Sequence, residues 1–206
     1  MSAFVTRAAM VLALSGAIYI APGAKSRASE QFLYAALGPE TSIPFGWLDF
    51  CRRYRGECDG GGAPREIDLT AKAYKDIQSV NLLVNHSIQP VSDMDHWGVV
   101  DRWDYPTDGK GDCEDFALAK RRLLIERGYP RQALLMTVVR EANGDGHAVL
   151  TLRTNRGEFV LDNMNDAVKT WTMTPYRFVK RQSQVDPNLW VAIAGGGAPA
   201  PIYVSR

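Results

Sequence analysis

One stretch limits the possible folds more than any other. A helical segment beginning at Cys113 runs directly into a series of short β-rich segments separated by turn signals. Phe116, Ala117, Leu118, Leu123, Leu124 and Ile125 supply its buried side, and Gly128 with Tyr129-Pro130 stops it. "ALLMTVVRE", "HAVLTLRT" and "EFVLDNM" then read as strands, joined by the turns "NGDG" and "NRG". "YRFVKRQS" and "NLWVAIA" add two more strands. A helix feeding an antiparallel meander predicts an α+β fold. The tail "GGGAPAP" is either a hairpin loop before "IYVSR" or a frayed end.

Upstream, residues 29–45 read as a short helix and loop, and "PFGWLDFCRRYRGEC" as a second short helix. From Asp68 the period is clearly helical: Leu69, Ala73, Ile77, Val80, Val84 and Ile88 recur every three or four residues, with Asp68 as the expected cap. "QPVSDMDHWGVVDRWDYPTDGKG" reads as a long ordered loop crossing the surface. Gly109 and Gly111 permit a sharp approach to the next helix, with Asp112 as its N-cap. Lys120, Arg121, Arg122 and Arg127 suit its C-terminal half, where the helix dipole is negative.

The first residues have a different character. Arg7 precedes an uncharged apolar run, residues 8–20, and Ser26 and Ala28 are small residues suited to a cleavage site. This is the pattern of a secretory signal peptide, residues 1–28, leaving a domain of residues 29–206. An uncleaved anchor is the alternative. Cleavage removes Arg7, Lys25 and Arg27 and no acid. Basic residues fall from 24 to 21 against 23 acids, a net charge of −2. No basic field suggests nucleic-acid binding. Export implies an oxidising compartment, the periplasm in a bacterium. There Cys51 and Cys58 in "FCRRYRGECDGGGAP" are expected to form a disulfide worth about 2–3 kcal/mol. Cys113 is the thiol left over.

His147 opens the second meander strand and Asp162 closes the third. Antiparallel neighbours joined by a short turn bring these two ends together. If the Cys113 helix points its N-terminus there, thiol, imidazole and carboxylate stand in the order of nucleophile, base and orienting group. His86 is expected to face solvent, and His96, beside Trp97, to line the cleft. A zinc site from Cys113, His96 and His147 lacks paired ligand spacing.

"GDCEDFALAKRRLL", "GHAVL" and "FVLDN", in this order, resemble the bacterial transglutaminase-like cysteine peptidases (BTLCP), the family that includes the LapG-type periplasmic proteases. The resemblance extends over "DMDHWGVVDRW" and "RQSQVDPNLW". It implies a papain-like transglutaminase core, with N-terminal helices and a nucleophile helix packed on an antiparallel sheet. It also implies peptide-bond hydrolysis by the triad Cys113, His147 and Asp162. For LapG-type members it implies a protein substrate that is a large surface adhesin controlling attachment and biofilm, and a membrane-bound regulatory partner. It further implies calcium held by the acids flanking the nucleophile, here Asp112, Glu114 and Asp115.

The backbone N–H of Cys113 is a natural oxyanion donor, and Trp97 or a backbone group of its loop is the candidate for the second. The three acids oppose ionisation of the thiol, and a calcium ion would reverse the local sign, helped by loop carbonyls and water. Their alternative role is helix-start stabilisation, about 0.3–1 kcal/mol each. A peptide-binding domain without catalysis and an acyl-transfer (cross-linking) enzyme remain the competing functions.

Overall fold

The computed structural model describes residues 33–194. The leader expected in residues 1–28 and the tail from residue 195 lie outside the described residues. The elements are β1 (Leu37–Thr41), α1 (Phe45–Arg53), α2 (Ala71–Ser87), β2 (Gln89–Pro90), α3 (Asp93–Trp97), β3 (Lys110–Gly111), α4 (Cys113–Glu126), β4 (Leu134–Arg140), β5 (Gly146–Thr154), β6 (Gly157–Asp162), β7 (Asn165–Thr170), β8 (Arg177–Gln182) and β9 (Trp190–Ile193). Seven strands form one antiparallel sheet in the order β1-β9-β8-β4-β5-β6-β7. The meander β4 to β7 is consecutive in space, and β8 crosses to the far edge of β4. β2 and β3 make a separate two-residue parallel pair. The architecture is α+β.

The period-two alternation of β5 sorts its side chains between two cores. Ala148, Leu150 and Leu152 face the helices together with Met136, Phe116, Leu118 and Leu124. Val149 points the other way, to Val139, Val160, Phe178 and Ile193. The face of α2 with Ala73, Ile77, Val80 and Val84 is buried, and Thr70 caps that helix by accepting from the Ala73 N–H. The cap is therefore Thr70 rather than Asp68. Asp68 instead accepts from the Asn155 side chain at 2.7 Å.

Three other expectations are corrected. The segment before residue 45 contains strand β1, paired with β9 at the opposite end of the chain. The segment 89–111 is more than a surface loop. It holds α3, and it sends Trp103, with no exposed surface, between Trp47 and Trp190 at ring distances of 6.1 and 6.2 Å. Gly46 makes room for it, since a Cβ there would lie 2.1 Å from Trp103 Cδ1. Finally, Lys120 and Arg121 are buried, because α4 is covered both by the sheet and by neighbouring helices.

Candidate active site and acidic cluster

The register of the β5–β6 hairpin sets the first half of the site. Leu150 pairs with Leu161, which places His147 and Asp162 on one face of adjacent strands, two residues from a direct pair. His147 Nε2 lies 3.0 Å from Asp162 Oδ1. The Met164 N–H donates to the same oxygen at 3.0 Å, and the Tyr176 hydroxyl donates to Oδ2 at 2.5 Å. From α2, the Asn85 amide donates to the Asp162 carbonyl at 3.0 Å and so ties down the end of β6.

Helix α4 brings the thiol. Cys113 is its first residue, 1% exposed, and its Sγ accepts from the Ala148 N–H at 3.3 Å. That bond fixes the helix start against the residue that follows His147. The imidazole and the thiol therefore meet across one buried point, with Nδ1, the ring nitrogen turned away from Asp162, free of any full hydrogen bond. Burial pushes His147 down, but its hydrogen bond to Asp162 and its proximity to the Cys113 sulfur and the Asp162 charge outweigh burial and hold it up to about 10. Burial pushes Asp162 up, and it is overcome by His147, Tyr176 and the Met164 N–H, so the carboxyl lies below its ordinary value. The pair is thus an imidazolium against a carboxylate.

On the other side of Cys113 lies a cluster of acids. Asp93, Asp112 and Glu114 are all buried, and they present carboxylate oxygens within 4.8 Å of one another. Asp93 comes from the first turn of α3, where its N–H donates to Asp112 Oδ2 at 3.2 Å. Glu114 Oε2 accepts from the Cys113 thiol at 3.2 Å, while Oε1 is buried with no hydrogen-bond partner among the described residues. Burial, then repulsion from Cys113, Asp112 and Asp115, raises Glu114 well above the carboxylate range. Burial also raises Asp93. Three convergent carboxylates, with a Glu114 oxygen left unsatisfied among them, fit a calcium-type cation.

Asp115 is held apart from this group. Its Oδ1 accepts from the Asp104 N–H at 2.6 Å, and its other oxygen lies over Gly111, where a Cβ would sit 2.6 Å from it. Burial and the charge of Asp112 push it up to about 9. The structure therefore groups Asp112 and Glu114 with Asp93, and gives Asp115 the separate task of anchoring the loop before α4.

The family model for the bacterial transglutaminase-like cysteine proteinases (BTLCP) matches residues 37–198. The chain belongs to this family. No protein of curated function matches it significantly. Among solved structures, calcium-bound LapG of Legionella pneumophila is 21% identical at a TM-score of 0.50, over 63% of this chain and 74% of that one. A second LapG structure of that organism is 23% identical at 0.48, over 59% and 69%. The EGTA-treated form is 24% identical at 0.47, over 57% and 66%. The calcium-bound structure shows that the fold is shared, and the transglutaminase-like core agrees with the helix-on-sheet arrangement described above.

The remaining residues of interest in this BTLCP chain are placed as follows. Cys51 and Cys58 form a disulfide with Cα atoms 5.6 Å apart, leaving Cys113 as the free cysteine among the described residues. Trp97 ends α3, 43% exposed, its ring 4.0 Å from His96 and 4.5 Å from the Arg102 guanidinium carbon. His96 pairs with Asp108 at 2.8 Å, and exposed His86 with Asp166 at 3.0 Å. Asp93 and Tyr176 are site residues that the sequence pattern does not single out. The acid-rich "SDMD" with Ser92 as N-cap is a local signal for the first. No local signal marks Tyr176, whose partner lies fourteen residues away.

Proposed function

We propose that the chain is an exported cysteine endopeptidase that hydrolyses a peptide bond with the triad Cys113, His147 and Asp162. The observation that carries this reading is the convergence of the free thiol, an imidazolium and a carboxylate at one buried point, through His147–Asp162 at 3.0 Å and Ala148 N–H to Cys113 Sγ at 3.3 Å. Asp162 holds Nε2 and so turns Nδ1 toward the thiol. The Cys113 thiolate attacks the scissile carbonyl, and His147 Nδ1 gives its proton to the departing amine. It then takes a proton from the water that releases the acyl group. The Cys113 N–H, at the start of α4, is one oxyanion donor, and Trp97 or a backbone group of its loop the second.

Asp93, Asp112 and Glu114 are the residues that would hold a calcium ion, beside Asp115 as the loop anchor. The ion supplies positive charge that relieves the repulsion among the carboxylates and offsets their field at the thiolate. That a LapG structure is calcium-bound supports calcium as the ion. By likeness to that group, the substrate is a large surface adhesin and the regulator a membrane-bound partner. Residues 1–28 direct the enzyme to the periplasm and are removed, leaving residues 29–206. No helix among the described residues is long and apolar enough to cross a membrane.

The test compares surface and released proteins in cells lacking the gene, cells carrying the wild type and cells carrying Cys113→Ala. Release of one large surface protein only with the wild type is expected. The same profile in all three would remove the adhesin reading. For the purified protein, a rate unchanged by EGTA would remove the calcium requirement.

A further inference from the structure

Both oxygens of the Asp162 carboxylate are occupied, and by different elements. Oδ1 receives His147 and the Met164 N–H, while among the described residues Oδ2 receives the Tyr176 hydroxyl alone, at 2.5 Å. Tyr176 stands at the entry to β8, immediately after Pro175, and reaches across the sheet face to the end of β6. Its ring also lies against the imidazole, with centroids 5.3 Å apart and planes inclined by 53°. Behind the contact is a cavity of about 210 Å³ whose wall includes Asp162 and Tyr176 with Val160, Met164, Lys169 and Pro175. The tyrosine ring thus stands between that cavity and His147.

We propose that Tyr176 is a positioning residue of the triad, whose hydroxyl locks the rotation of the Asp162 carboxylate and whose ring shields His147 from the cavity. This inference rests on the peptidase reading above. A carboxylate held through one oxygen alone can turn about its Cβ–Cγ bond and lose the His147 bond. Held through both oxygens, by His147 on β5 and by Tyr176 just before β8, it has one orientation. Burial, the Asp162 hydrogen bond and the charges of Asp162 and Glu141 hold the Tyr176 hydroxyl protonated, so it acts as donor and Asp162 as acceptor throughout the working range. The geometry resembles charge-assisted O–H···O bonds, the shorter and stronger class.

The test uses residues 29–206 with calcium present and two readouts. One is the rate of Cys113 alkylation by iodoacetamide. The other is the downfield proton resonance of the His147 ring N–H bound to Asp162, assigned by its loss in His147→Gln. Tyr176→Phe keeps the ring and removes the hydroxyl. It is expected to keep the wild-type melting temperature, to slow alkylation about tenfold, and to shift or broaden the His147 resonance. Tyr176→Ala also opens the cavity to the imidazole and should abolish the resonance. In an Asp162→Asn background, Tyr176→Phe should cost nothing more.

A Tyr176→Phe variant with the wild-type rate and resonance overturns the proposal, as does an additive loss in the Asp162→Asn background. If the wild type alkylates no faster than an ordinary thiol, the peptidase reading fails. The resonance and its response to Tyr176→Phe still decide whether Tyr176 holds Asp162.

Discussion

Replacing Lys120 by methionine should make the protein more stable, and by an amount that depends on pH. Lys120 has no exposed surface, and its Nζ has no hydrogen-bond partner among the described residues. Its contacts include the Phe116 ring, 5.9 Å away. Burial pushes the amine from 10.5 down to about 7, and the opposing pull of Asp162 and Asp166 is too weak to compensate. Below pH 7 the amine is charged in both the folded and the unfolded chain, and folding carries the whole desolvation cost. The gap from 10.5 to 7 sets an upper bound of about 5 kcal/mol, at roughly 1.4 kcal/mol per pKa unit. Between pH 7 and 10.5 only the unfolded chain binds the proton, so the wild type gains stability as pH rises. Above that range the ionisation cost is gone. Methionine is similar in length and apolar, so the packing change should stay below about 1.5 kcal/mol. The advantage of Lys120→Met, measured by urea unfolding, should therefore be about 2–4 kcal/mol at pH 6 and fall to near zero at pH 10. Groups common to both proteins cancel in the difference. An equal effect at pH 6 and pH 10 would show that the amine is not desolvated in the folded state.

Three further perturbations probe other parts of the molecule. Calcium at a hundred times its dissociation constant should add about 2.7 kcal/mol, or roughly 5–10 °C in melting temperature. Asp93→Asn should lose that response, and a wild type that melts identically in calcium and in EGTA would contradict the cation assignment. Glu158→Ala strands Arg181, bound to it at 2.5 Å with both side chains 1% exposed, and should cost about 3–5 kcal/mol in urea unfolding. A cost under about 1 kcal/mol would mean that Arg153 and Arg181 need no buried partner. Gly46→Ala pushes a carbon into Trp103 and should cost at least about 1–3 kcal/mol and alter the near-ultraviolet tryptophan signal. Wild-type stability and an unchanged signal would place Trp103 elsewhere.

The parts of this fold that are legible in the sequence are those whose signals are local. The meander from β4 to β6 has alternation and two turn sequences, and a hairpin register follows from its turn, so the sequence pattern alone puts His147 and Asp162 side by side. Strand β1, "LGPET", contains glycine and proline and is held by β9, about 150 residues later, so its pairing is invisible in any window. β7, "NDAVKT", is a mostly polar edge strand without a buried alternation. The basic residues of α4 mislead for a related reason. A helical period reports one buried face, whereas α4 is covered on several sides and Lys120 and Arg121 are enclosed with it. Asp93 joins the acidic cluster from another element, with Asp112 accepting from its N–H across nineteen residues, a contact no spacing rule supplies.

The acids around Cys113 can now be weighed by magnitude. Carboxylates in a first helical turn gain about 0.3–1 kcal/mol each from the dipole. That suffices for exposed residues, but Asp112, Glu114 and Asp115 are all within 1% of full burial. For Asp115, the distance from 3.8 to about 9 corresponds to a cost on the order of 7 kcal/mol for the ionised form. Even with a backbone N–H already bonded to it, the helix terminus falls short several-fold. Helix-start stabilisation therefore does not offset the burial of Asp115. In the neighbouring cluster, burial and mutual repulsion raise Glu114 in the same direction, and either protons or a cation would relieve them. Protons and a cation have opposite consequences for the thiol. A protonated Glu114 leaves the Cys113 proton in place and the site neutral. A divalent cation would keep the carboxylates ionised and offset their field at the proposed Cys113 nucleophile. Of the two, the cation is the one that would favour a reactive Cys113 in the proposed triad.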